Sequence, residues 1–113
     1  MTNMTRDELV ANLKQKLGVS EPAGPGVDLL GPGYALVVVM EPEELTDEVV
    51  QRLQGVKGKK GLKRMVAVPP KATVINSARE RLQGTSIGVI DGRGFIVKPY
   101  SPDRYKSVTL GTM

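Results

Sequence analysis

Three residue types with specialised chemistry are missing from this chain, which has no cysteine, no histidine and no tryptophan. Without cysteine there can be no disulfide, no thiolate metal site and no thiol nucleophile. Without histidine, the His-based triads, the usual zinc sites and the commonest general base near neutral pH are excluded. The remaining aromatics are scarce, three tyrosines and one phenylalanine in 113 residues, so a core must be assembled from Val, Leu, Ile and Met. A long apolar run is lacking too. The longest, Ala35 to Met40, falls far short of the ~20 residues that span a bilayer. The start, MTNMTRDELV, carries neither the basic nor the apolar region of a signal peptide. The expectations are a cytoplasmic protein with no membrane partner, no metal, no cofactor and no assigned catalytic residue, closer to a binding protein than to an enzyme.

What the chain does have is a polar distribution of charge. Its net charge of +4 hides nine acidic and three basic residues in positions 1–50, against three acidic and thirteen basic in positions 51–113. A basic half is attracted to polyanions, which is a statement about partners and not about chemistry. At this length one domain with one self-sufficient core is expected.

A helix opens the chain. Thr5 and Glu8 form the S/T-x-x-E spacing of a capping box, and Leu9, Val10, Leu13 and Leu17 recur at helical spacing before Gly18. Residues 19–33, with three prolines and four glycines, read as a linker whose apolar anchors are Leu29 and Leu30. Residues 34–113 then read as a small α/β domain. Tyr34 to Met40 is a strand covered on both faces. Residues 41–54 carry Leu45, Val49, Val50 and Leu53 on a helical face. Arg64 to Val68 is a second strand, Lys71 to Gln83 a further helix, and Ser86 to Ile90 a third strand. Asp91-Gly92-Arg93-Gly94 is a hairpin turn into Phe95 to Lys98. The tail has a short edge-strand candidate at Ser107 to Leu110. The predicted order is a leading helix followed by β-α-β-α-β-β, a small mixed sheet of α/β class (α+β being the alternative) with helices packed on it.

Four features bear on function. The densest basic stretch, Lys57, Lys59, Lys60, Lys63 and Arg64, is interleaved with Gly55, Gly58 and Gly61. Glycine allows close backbone approach to a phosphate while lysine supplies charge, and the same composition also suits a solvated connection. Lys71 stands at a helix start, where the dipole opposes a cation and an anion would be welcome at the amides of Thr73 and Val74. Arg93 adds a cation in the hairpin turn. The segment FIVKPYSPDRYK alternates aromatic and basic residues, which makes Tyr100 and Tyr105 candidate stacking platforms, whereas Phe95 is expected in the core. Glu41 and Asp91 each follow a strand and could form a carboxylate pair for metal-assisted phosphodiester chemistry, although Asp91-Gly92 is also ordinary turn chemistry.

The leading expectation is therefore nucleic acid or another polyanion bound through Lys57, Lys59, Lys60, Lys63, Arg64, Lys71 and Arg93. The alternative is a structural or adaptor protein. It would form a homo-oligomer or dock a protein partner through the helix at residues 5–17 and its opposed charges.

Overall fold

The computed structural model describes residues 4–21, 27–56 and 61–98. Helix α1, Arg6–Leu17, begins on Thr5, whose side chain accepts from the Glu8 amide while the Glu8 carboxylate accepts from the Thr5 amide. These paired bonds satisfy two donors that a helix start leaves open. They also hold the Glu8 carboxyl below its ordinary range, the backbone bond from Thr5 contributing most.

The segment read as a linker contains a strand. β1, Leu29–Leu30, pairs antiparallel with β2, Tyr34–Val38, and Ser20 returns along its outer side. Asp28 extends this edge, its amide donating to the Leu36 carbonyl and its carboxylate accepting from the Val38 amide at 2.7 Å. The predicted order is therefore preceded by one additional edge strand. The helical stretch after β2 is divided in two. A short 3-10 turn, Pro42–Glu44, precedes α2, Asp47–Gln54, because Thr46 caps a new start by accepting from the Val49 amide at 3.2 Å.

β3, Lys63–Val68, α3, Ala72–Arg81, β4, Gly88–Asp91, and β5, Ile96–Lys98, follow in chain order, and the edge-strand candidate at Ser107 to Leu110 lies outside the described residues. The sheet order is β1-β2-β3-β4-β5, parallel through the three central strands and antiparallel at both edges. Both crossovers step the same way across the sheet, so a common hand puts α2 and α3 on one face. α1 covers the other.

Alternation along the strands fills two cores. Ala35, Val37, Val39, Val66, Val68 and Val89 meet Leu45, Leu53, Val74, Ala78 and Leu82 beneath α2 and α3. Leu36, Val38, Met65, Ala67 and Ile90 meet Leu9, Val10 and Leu13 of α1, together with Leu29. The near-continuous apolar run of β2 is thus a strand buried on both faces. The apolar stripe of α1, on which the docking expectation rested, is spent on the domain's own sheet.

Candidate nucleic-acid interface

The parallel strands divide the predicted basic set between two ends of the sheet. Lys63 and Arg64 open β3, while Lys71 and Arg93 lie beyond the carboxyl ends of β3 and β4, where Val68 is paired with Asp91. A strand of six residues puts about 17 Å between these ends. Lys57, Lys59 and Lys60, in the stretch leading to β3, and Tyr100 and Tyr105 in the tail lie outside the described residues.

At the amino end, neighbours in sequence are not neighbours in space. Side chains alternate along a strand, so Lys63 and Arg64 point to opposite faces. Lys63 stands beside its register partner Tyr34, its ammonium 5.0 Å from the ring centroid. Arg64 turns to the face of α2 and α3, where it donates to the Val56 carbonyl just after α2. Lys98 also reaches this end, donating to the carbonyls of Ile87 at 2.6 Å and Thr85 at 3.3 Å. Partial burial lowers its pKa from the ordinary lysine value. Arg64 and Lys98 hold backbone together here, and Lys63 packs against a ring.

At the carboxyl end, Lys71 is exposed and makes no side-chain cap on α3. The Val74 amide, expected to receive an anion there, donates instead to the Lys71 carbonyl at 3.1 Å. The hairpin turn is more highly organised. Asp91 is fully buried, and one carboxylate oxygen accepts from the amides of Arg93 at 2.9 Å and Phe95 at 3.1 Å. The other accepts from Arg93 Nε at 3.2 Å and Nη2 at 2.8 Å. A buried carboxylate needs a counter-charge and hydrogen bonds to be tolerable, and the turn supplies both. Asp91 is therefore structural. Its oxygens are fully engaged, β3 separates its strand from the one that precedes Glu41, and no group of three or more carboxylates among the described residues is placed to hold a metal.

The bonds to Asp91 fix Arg93 without burying it. Its side chain is 58% exposed, and two of the five guanidinium N–H donors point at the carboxylate. The guanidinium carbon lies 5.2 Å from the centroid of the Phe95 ring, within cation–π range. Phe95 is 62% exposed and Ile96 48%, which corrects the expectation that Phe95 is core. Phe95 comes before β5 begins, at the turn of the β4–β5 hairpin, where its carbonyl accepts from the Asp91 amide. Val97, two residues on, is the β5 side chain that packs against that core.

α1 completes the surface. The Asn12 amide donates to the Gly92 carbonyl, and Met4 and Leu9 lie where a Cβ at Gly92 would sit. Gly94 has φ +95°, and a Cβ there would stand 2.7 Å from Lys16 Cδ. The aliphatic stem of exposed Lys16 thus lies against the turn at Gly94, bringing a lysine from the acidic half of the chain to the hairpin. Sequence reasoning missed Lys16, because its contact is with a residue 78 positions away. Lys14, one turn from the same helix end, is instead paired with Glu21 at 2.8 Å.

Comparison with protein-family models, curated proteins and solved structures finds no match. The surface has to be read from its own chemistry.

Proposed function

We propose that this protein is a small binding domain that contacts nucleic acid or another polyanion through the hairpin end of its sheet. The observation that carries the reading is one hairpin turn that holds Arg93 against an exposed Phe95 and has the Lys16 stem packed on Gly94. Lys71 leaves the same end of the sheet from the adjacent strand. Cations held by packing and hydrogen bonds lose little freedom when they meet phosphate, which favours binding. The net excess of basic residues in positions 51–113 adds long-range attraction. Lys57, Lys59 and Lys60, which precede β3 in sequence, would add further charge to the contact.

The test is a salt titration of a labelled oligonucleotide. Affinity is expected to fall steeply between 50 and 200 mM salt, about 0.9 log units per log unit of salt for each duplex phosphate neutralised. Reversing Lys16 and Lys71 to Glu should flatten that slope by about two, and reversing Lys59 and Lys60 measures the loop separately. Absence of binding at low salt refutes the reading.

A second reading is favoured by the same edge. Phe95 and Ile96 are adjacent exposed apolar residues where β5 begins, and among the described residues β5 has one neighbouring strand, a surface through which copies of a chain associate. Solution mass above the monomer, lowered by Ile96→Lys, would support it.

A further inference from the structure

We infer that the hairpin end binds single-stranded nucleic acid, with Phe95 as the surface on which a base stacks. The inference rests on the polyanion reading above and narrows its ligand. Cations alone would suit any polyanion, and an exposed ring adds nothing to the binding of phosphate or sulfate. The ring here is the chain's one phenylalanine, and it keeps 62% of its surface exposed although the core beneath β5 takes Val97. Arg93 is fixed over that ring by a fully buried Asp91. The array guanidinium–phenyl is therefore set before any ligand arrives, and a base on the ring would extend it by one layer.

Lys16 lies against Gly94, the residue before Phe95, so the turn carries a second cation that can meet a phosphate of the bound strand. A duplex keeps its bases in their own stack and offers the ring no face. A single strand does, and stacking of this kind tolerates any base.

Phe95→Trp makes the inference directly observable, because the chain contains no tryptophan and the indole would be the sole such fluorophore. Three ligands are titrated at low salt: a thymidine oligonucleotide, a duplex of the same length, and heparin. The single strand is expected to quench the indole emission, and heparin to bind without quenching it. Phe95→Ala, with its fold checked by circular dichroism, should lose about tenfold in affinity for the single strand and less than twofold for heparin. Equal binding of all three ligands, unchanged in Phe95→Ala, overturns the stacking inference and leaves the polyanion reading standing. No binding of any ligand overturns both. If Phe95→Ala instead converts a dimer to a monomer and leaves single-strand affinity unchanged, the ring belongs to an interface between copies and the inference falls.

Discussion

Single residues in this protein separate into those that hold the backbone and those left to face solvent, and charge does not predict which. Arg64 and Lys98 both lie in the basic half, yet each is bound to main-chain carbonyls. Lys98 offers a test through proton linkage. Burial lowers its pKa from the ordinary 10.5, so between the lowered value and 10.5 the unfolded chain binds more protons than the folded one. Stability should then rise with pH through that window, since charging the partly buried amine opposes folding. Urea denaturation across the window should show this rise for the native chain and lose it in Lys98→Met. A rise of equal size in both proteins would assign the effect to another group. Asp91-Gly92 was legible as a turn from its residues alone, whereas the contact of Lys16 with Gly94 was not, because no local period relates positions so far apart.

Among the elements, those with a strong period or a cap could be read directly. Thr5 and Glu8 set the start of α1, and the unbroken apolar run from Tyr34 announced a strand with both faces covered. β1 escaped because two residues carry no period. The break between Pro42–Glu44 and α2 escaped because Thr46 acts as a second cap inside one apolar stripe. Phe95 was misplaced for a reason belonging to the element. An edge strand of three residues is covered over only part of its length, so an apolar residue just outside it has no core to enter. α1, in contrast, is fully committed. Leu13 is completely buried between α1 and the sheet while Leu17 is only partly covered. Leu13→Ala should cost about 2–5 kcal/mol in urea denaturation and Leu17→Ala distinctly less. Equal losses would mean that the helix seats differently.

For the whole molecule, the two cores share one set of strands. Leu36 and Val38 serve one face while Ala35, Val37 and Val39 serve the other, so neither layer can be lost without stripping β2. Thermal unfolding followed by far-ultraviolet circular dichroism, which is dominated by the helices, should therefore coincide with the change in emission of Tyr34 in the sheet, read in a variant with Tyr100→Phe and Tyr105→Phe so that it is the one tyrosine left. Two separate transitions would show that α1 leaves first. The lopsided charge of the sequence also looks different at this scale. The acidic half contributes Lys16 to the hairpin surface, and the basic half buries Asp91 beneath it. The division at residue 50 therefore does not survive folding as a boundary between two surfaces.

The bond from Asn12 to the Gly92 carbonyl has a consequence for biosynthesis. α1 leaves the ribosome before the other described elements, but its seat includes Met65, Ile90 and the 91–94 turn, which are made after it. The helix must wait, with its apolar stripe in water, until β3 and β4 are in place. β2, α2 and β3 can associate as they emerge. Closing α1 onto the hairpin thus joins elements far apart in sequence, and a nascent chain halted before residue 91 would carry α1 without the turn that receives Asn12.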